Sequence, residues 1–286
     1  MMFSKERAVK FLADVLGISD AEQLLKEDRL KLLSTIMEAY QAKIPFQSLS
    51  LMTEPLSNRR RPTIEESVAE VEAGKGGLCY SVNVFLKILF DALGYTTYHT
   101  MATCMDLDNN HIMTIAKDVV AAGDRYIVDS GTGFHTSVIP LDFETESPVH
   151  DDCFLKYKYA WEDGLLKRYN LRGERKGEGK WEVFCVSDMV PKDLACFEAP
   201  MCQVYTDPSK IPFHTSMRAI KFPNQKAVCI CDMKLLVEDD KHTFQETKFS
   251  SEGEFLDAVK EHFPLLVEDA KKALTNWTPN GESSIE

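Results

Sequence analysis

Three residues of the 286-residue chain have the types and local settings of a thiol catalyst: Cys79, His111 and Asp129. Cys79 follows Gly76-Gly77-Leu78 and opens an amphipathic stretch that closes at Gly94. The first turn of a helix offers free N–H groups and the positive end of the helix dipole, which favour a thiolate and an oxyanion. A nucleophilic cysteine is therefore expected here, and a buried structural cysteine at a helix start is the alternative.

A histidine and an aspartate follow on two β-like segments that a polar, Gly123-containing link joins into a predicted hairpin. With a turn centred near residue 120, antiparallel pairing places His111 opposite Asp129, within hydrogen-bonding reach. A nucleophile, a base and an orienting carboxylate would then be complete. His99, on the preceding strand, is the second candidate for the base. The remaining histidines are expected at the surface or in loops: His135, His150, His214, His242 and His262.

The elements that must position these residues change in character along the chain. Apolar residues recur at helical spacing through the first ninety residues and again over 252–274. Gly17 predicts the end of the first helix, and Asp20 with Gln23 resembles a capping box, as does Thr63 with Glu66. The predicted strands are Tyr95–Ala102, His111–Ala116, Tyr126–Asp129, Trp181–Val186 and Val228–Leu236. Helices first and strands after predict an α+β fold with a small antiparallel barrel.

Composition narrows the class of partner and compartment. The net charge of −12 and the pI near 5.1 argue against nucleic acid. No apolar run is long enough to span a membrane, and the N-terminus has no signal-peptide pattern, so a cytoplasmic location is expected. The eight cysteines show no zinc-ligand spacing, so no metal is expected. A monomer is expected.

The segment 209–227 is basic in an acidic chain. It contains four cations and no acid: Lys210, Arg218, Lys221 and Lys226. Such a segment would offset the charge of a phosphate-bearing ligand. A solvated loop and strand edge is the alternative interpretation.

The motifs together resemble the arylamine N-acetyltransferases. The family's Gly-Gly-x-Cys turn, with Asn four residues after the Cys, is here Gly76-Gly77-Leu78-Cys79 and Asn83. The upstream Pro-Phe connector is Pro45-Phe46, and the signature around the aspartate is Tyr126-Ile127-Val128-Asp129-Ser130-Gly131-Thr132-Gly133. These matches cover roughly residues 20–142, and Ser209–Phe213 resembles a later family motif more loosely.

The resemblance implies a cysteine-protease-like core in three parts. A helical bundle over residues 1–94 would carry the nucleophile. An antiparallel β-barrel over 95–200 would carry the histidine and the aspartate, and an α/β lid over 201–286 would complete the molecule. The active site would lie between the first two parts.

The resemblance also implies a reaction and its substrates. Acetyl-CoA would acetylate Cys79, and an arylamine, arylhydroxylamine or hydrazine would then take the acetyl group in a ping-pong reaction. Five residues along the 107–111 turn, the 209–213 stretch and the C-terminal tail would contact CoA: Leu107, Asn110, Ser209, Phe213 and Ser283. Phe46 and Thr132 would face the acceptor, and Thr132 would enlarge the pocket because a Phe is frequent there.

Two other functions use the same residues. A hydrolase or transglutaminase-like enzyme would form a thioester on the same Cys-His-Asp set, and water or a protein amine would resolve it. A scaffold that has kept the fold without catalysis is the third possibility.

Overall fold

The computed structural model describes residues 3–173 and 179–277. Within these ranges helices and antiparallel sheets are both extensive, which confirms the predicted α+β class. Among the described residues, no helix combines the length and the apolar character that crossing a membrane requires. The CoA contact predicted at Ser283 lies outside the described residues.

Six helices form the N-terminal part of the molecule. The first continues as a π-helical turn, Leu12–Leu16, and ends at Gly17, whose φ of +74° is left-handed, as the sequence predicts. The capping box of Thr63 and Glu66 is confirmed. Asp20 does hold the N-cap position of α2, but its side chain makes no cap hydrogen bond, so the capping box predicted with Gln23 is wrong. The helices are α1 Lys5–Phe11, α2 Ala21–Glu27, α3 Arg29–Lys43, α4 Leu49–Met52, α5 Ile64–Glu72 and α6 Cys79–Ala92.

The packing of this part centres on α6. Ten of its residues from Cys79 to Phe90 are buried, on all sides of the helix. The side chains of α1 and α3 cover it with a continuous apolar cluster that includes Phe11, Leu33 and Phe85. A helix buried all round is held by packing rather than by its caps, so its first residue has a fixed position.

Eight strands form one curled antiparallel sheet. The strand order is β5-β4-β3-β2-β9-β8-β7-β6, so β5 and β6 are the two edge strands. The hydroxyl of Ser137, just before β5, donates to the carboxylate of Asp152 in β6 at 2.8 Å. The strands are β2 Thr96–Cys104, β3 Leu107–Lys117, β4 Arg125–Ile127, β5 Ile139–Pro140, β6 His150–Asp152, β7 Leu155–Glu162, β8 Leu165–Arg172 and β9 Lys180–Ser187. Residues 107–111 therefore belong to a strand and not to the expected turn, which lies at Met105 and Asp106 with left-handed φ values of 56° and 57°.

A second sheet of five strands has the order β1-β10-β11-β12-β13. Its first strand, β1 Phe46–Gln47, comes from the N-terminal part and pairs with the late strand β10. The single predicted strand at 228–236 is two strands, because the chain turns at Asp232, where φ is +52°. The later elements are α7 Glu198–Thr206, β10 Arg218–Lys221, β11 Val228–Cys231, β12 Lys234–Glu238, β13 Phe244–Lys248, α8 Glu252–His262 and α9 Val267–Asn276. The domain boundaries 1–94, 95–200 and 201–286 stay predictions.

Candidate active site

The cysteine of the candidate site is the first residue of α6. Leu78 holds the N-cap position and provides no side-chain cap, so the first turn is open towards the cysteine. The loop before it lies against β1, where the N–H of Gln47 donates to the carbonyl of Gly77 at 3.1 Å. At Gly76, φ is +72° and an added Cβ would lie 1.8 Å from the carbonyl oxygen of Pro45, so only glycine fits.

The histidine and the aspartate meet in the buried interior. The Nε2 of His111 lies 2.7 Å from Oδ2 of Asp129, and both residues are almost fully buried. The predicted register is wrong by two residues, because Ile115 pairs with Ile127. Asp129 lies just after β4 rather than opposite His111. The contact between the two side chains forms because the chain leaves the sheet there and directs the Asp129 carboxylate back towards His111.

Asn83 fixes the other oxygen of Asp129. Its Nδ2 donates to Oδ1 of Asp129 at 2.7 Å and to the carbonyl of Ile112 at 2.7 Å. The N–H of Gly131 donates to the same Oδ1 at 2.8 Å. The sequence motif contains Asn83, but no role was predicted for it. Its spacing of four residues from Cys79 places both on one face of α6 and was the available signal.

The electrostatics of the pair favour an ion pair. Burial alone would lower the pKa of His111, but the Asp129 carboxylate outweighs it and raises that pKa well above its usual value; a hydrogen bond with the Cys79 side chain contributes. Burial alone would raise the pKa of Asp129, and the contacts with His111, Asn83 and Gly131 outweigh it and lower that pKa. An imidazolium beside a thiol stabilises the thiolate. Because Nε2 faces Asp129, Nδ1 is the ring nitrogen left for Cys79.

A cavity of about 160 Å³ opens at the cysteine. Four residues predicted to bind substrates lie on its wall with Cys79 and His111, namely Phe46, Asn110, Thr132 and Phe213. The rings of Phe46 and Phe213 pack edge to face, with centroids 5.2 Å apart. Six further wall residues belong to motifs or segments that the sequence singles out, namely Leu78, Gly131, Gly133, Ile211, Pro212 and Arg218. Sequence reasoning assigned no role at the site to the rest: Cys104, Met105, Phe134, Arg172, Phe184, Val204, Ile220 and Cys229.

Two predicted CoA contacts lie away from that wall. Leu107 pairs with Cys104 at the start of β3, and Ser209 is exposed and hydrogen-bonded to Asp207. The basic segment 209–227 does not direct its charges to one place: Arg218 lines the cavity, whereas Lys226 pairs with Asp240. The charge of the segment is thus divided among different surroundings.

The other histidines have different surroundings. His99 is buried, and burial lowers its pKa to about 3, so it is a neutral core residue and not an alternative base. His135 and His214 are also buried, against the expectation of surface positions, because Phe222 packs on the first and Arg59 bonds the second. In residues 3–173 and 179–277, no three His, Cys, Asp or Glu side chains are grouped to hold a metal ion.

Comparison with known proteins places this geometry in context. The N-acetyltransferase family model matches residues 29–273. The arylamine N-acetyltransferase of Mycobacterium marinum in complex with CoA is 17% identical, with a TM-score of 0.74 over 94% of this chain and 97% of that one. The arylamine N-acetyltransferase of M. smegmatis is 21% identical (TM-score 0.71, 93% and 97% covered), and that of Salmonella typhimurium 14% identical (TM-score 0.72, 90% and 90% covered). A search of curated proteins gives no significant match.

Proposed function

Because the chain belongs to the arylamine N-acetyltransferase family, and is thus an acyltransferase, we propose that it transfers the acetyl group of acetyl-CoA through a Cys79 thioester to an aromatic amine, hydroxylamine or hydrazine. The observation that carries the proposal is the buried contact of 2.7 Å between His111 and Asp129 beside a cysteine that opens a helix on a cavity wall. A nucleophile, a base and an orienter need such an arrangement, which supports the proposal.

In the first half-reaction the Cys79 thiolate attacks the thioester carbon of acetyl-CoA. The new carbon–sulfur bond forms, the bond to CoA breaks, and the His111 imidazolium gives its proton to the departing CoA sulfur. The open first turn of α6 supplies N–H groups near the developing oxyanion. Asp129 keeps the imidazole ring oriented throughout.

In the second half-reaction the amine attacks the acetylated Cys79. His111, now neutral, accepts the proton of the amine, and the cysteine leaves as a thiolate beside the restored imidazolium. The two substrates use the same cavity in turn, which is the arrangement that a ping-pong reaction needs. Asn110 and Phe213 are proposed to contact CoA, and Phe46 and Thr132 the acceptor, because all four lie on the cavity wall.

The state of the cysteines supports a reducing compartment. All eight lie within the described residues, and none forms a disulfide. We therefore propose that the enzyme acts in the cytoplasm, as a monomer whose mass light scattering would measure.

The decisive experiment follows the acetyl group. Incubation with acetyl-CoA is expected to add a single acetyl group to the intact protein, as measured by mass spectrometry, and addition of an aromatic amine should remove it and yield acetylated amine. Cys79→Ser should abolish the adduct, while Cys196→Ser, which removes an exposed cysteine, should keep it.

Two results would contradict the proposal. An adduct that persists in Cys79→Ser would place the acetyl group elsewhere. An adduct that forms and decays at the same rate with and without amine would show a hydrolase.

A further inference from the structure

Two further cysteines face each other beside the catalytic cavity. Cys104 of β2 and Cys185 of β9 are directly paired across the sheet, and both are buried. The next pair along, Met105 and Phe184, is joined by a backbone hydrogen bond of 2.9 Å. Because hydrogen-bonded and non-hydrogen-bonded pairs alternate in an antiparallel ladder, the two cysteines occupy a non-hydrogen-bonded pair.

This position has the spacing of a disulfide. Cα atoms in a non-hydrogen-bonded pair are about 4.5 Å apart, and disulfides span Cα separations of about 4.4–6.8 Å. Because they are directly paired, the two side chains point to the same face of the sheet. An S–S bond would therefore form with little movement of either strand.

A buried arginine lies next to this pair. Arg168 of β8 is paired with Cys185, is 3% exposed, and rests over the ring of Tyr157 at 4.3 Å. Its Nε and Nη1 donate to Asn170 and Thr136, while Nη2 has no hydrogen-bond partner. Within residues 3–173 and 179–277, no carboxylate forms a salt bridge with this guanidinium, so its charge favours an anion nearby.

The thiol pair can supply that anion. The hydrogen bond from the Cys104 thiol lowers the pKa of Cys185, and the charges of His111 and Arg168 add to the effect. Burial raises the pKa of Cys104, and the neighbouring Cys185 sulfur adds to the effect. The opposite directions of the two shifts favour the proton on Cys104 and the negative charge on Cys185, which is paired with Arg168.

The pair is also connected to the catalytic residues. Cys104, of which 4% is exposed, lines the cavity, so the cavity is the route by which a small molecule would approach its sulfur. The backbone N–H of Cys104 donates to Oδ1 of Asn110 at 2.8 Å, and the carbonyl of Asn110 lies 3.8 Å from the Cys79 sulfur. Any change at Cys104 therefore acts on the strand that holds His111.

We propose that Cys104 and Cys185 form a redox-active dithiol, a modification site whose oxidant is a small hydroperoxide such as hydrogen peroxide. The Cys104 sulfur attacks one peroxide oxygen while its proton passes to the Cys185 thiolate, the O–O bond breaks, and a Cys104 sulfenic acid forms with release of hydroxide. The Cys185 sulfur then attacks the sulfenic sulfur and expels its oxygen. In sum, two thiols and one hydrogen peroxide give one disulfide and two waters.

The consequence for acyl transfer rests on the proposed function. Closing the disulfide changes the Cys104 side chain at the cavity wall, next to the hydrogen bond that its backbone N–H makes with Asn110. Oxidation is expected to reduce acetyl transfer, and reduction of the disulfide is expected to restore it. The dithiol itself is detectable without any measurement of acyl transfer.

The first experiment maps the disulfide in a Cys79→Ser background, where the proposed nucleophile is absent. The protein is treated with hydrogen peroxide, alkylated under denaturing conditions and digested with trypsin. Cys104 and Cys185 lie on separate tryptic peptides, residues 88–117 and 181–192, each of which contains no other cysteine. The expected result is one species in which the two peptides are linked and lack two hydrogen atoms. Equal alkylation of both peptides before and after treatment would overturn the dithiol.

The second experiment compares activities with matched variants. Cys185→Ala should abolish the linked peptides and the part of the peroxide-induced loss of acetyl transfer that depends on the disulfide. Cys153→Ala changes a buried cysteine that is hydrogen-bonded to the carbonyl of Gln225. This variant should still form the linked peptides and still lose activity on oxidation. If hydrogen peroxide lowers the acetyl-transfer activity of the wild type and of Cys185→Ala equally, the disulfide does not control activity. If no form transfers acetyl groups, the proposed function fails while the peptide map still tests the dithiol.

Discussion

Gly131 lies where the loop after β4 crosses the start of α6. A Cβ added there would be 2.9 Å from both Cα and Cβ of Cys79 and 2.6 Å from Nδ2 of Asn83. Gly131→Ala therefore tests whether the close approach of this loop to the nucleophile is needed for activity. No left-handed φ is involved at this glycine, so the expected effect is steric.

The size of the effect follows from the distances. Ordinary contacts of a Cβ begin at 3.4 Å, so the loop must withdraw by at least 0.5 Å from Cys79 and by 0.8 Å from Asn83. Overpacking of this kind costs about 1–3 kcal/mol of folding free energy. A displacement approaching 1 Å lowers the rate of an oriented reaction by about 100-fold. Because Gly131 also bonds Asp129, both the nucleophile and the orienting carboxylate would move.

The assay is the rate of CoA release on mixing enzyme with acetyl-CoA, measured beside the melting temperature. Gly253→Ala is the matched control, because its nearest neighbouring atom would be 3.7 Å away, an ordinary contact. That variant should keep wild-type activity. A folded Gly131→Ala protein that releases CoA at the wild-type rate would refute the argument that this loop fixes the geometry.

The remaining predictions concern the residues that support the site and one helix cap away from it. Asp129→Asn should keep the fold and lower acetyl transfer by about four orders of magnitude. Because Asp129 raises the pKa of His111, the imidazolium should persist above a pH of about 6.5, the usual histidine pKa. The acetylation rate of the wild type should therefore decline only at higher pH, where the imidazolium is lost. In a pH–rate profile of Asp129→Asn, this decline should shift to lower pH. Asn83→Ala leaves the Asp129 carboxylate without one hydrogen-bond donor and should lower the free energy of unfolding, measured with denaturant, by about 1–3 kcal/mol. A variant as stable as the wild type would contradict this role of Asn83. Thr63→Ala, away from the site, should lower stability by about 1 kcal/mol through the lost cap without changing acetyl transfer.

Local patterns predicted the parts of the site that local physics determines. The glycines before Cys79 and the amphipathic run after it predict a helix start there, and α6 begins at that residue. The hairpin that carries His111 was recognised from its turn and strand composition. Its register was wrong by two residues because the turn extends from residue 118 to 124, where the Asp124 carboxylate bonds three successive backbone N–H groups. That arrangement depends on side-chain bonding within the turn, which the alternation of strand residues does not reveal.

Long-range contacts account for what the sequence did not indicate. Phe184, Ile220 and Cys229 lie on three different strands and reach the cavity only through the folding of the two sheets, and no local pattern distinguishes them from other core residues. The cations of 209–227 face different surroundings, since Arg218 and Lys221 lie in the paired strand β10 whereas Lys226 forms an ion pair with Asp240. His135 and His214 became buried through packing against residues far along the chain.

The pairing of β1 with β10 has a consequence for the order in which the enzyme is made. Phe46 and Gln47 support the glycine loop before Cys79, yet their own strand partners are Ile220 and Ala219. A ribosome that has translated residues 1–210 has already made the cysteine, the histidine and the aspartate. It has not yet made the strand that holds the loop in place. Thiol reactivity of the nascent chain is therefore expected to mature only when the C-terminal sheet emerges.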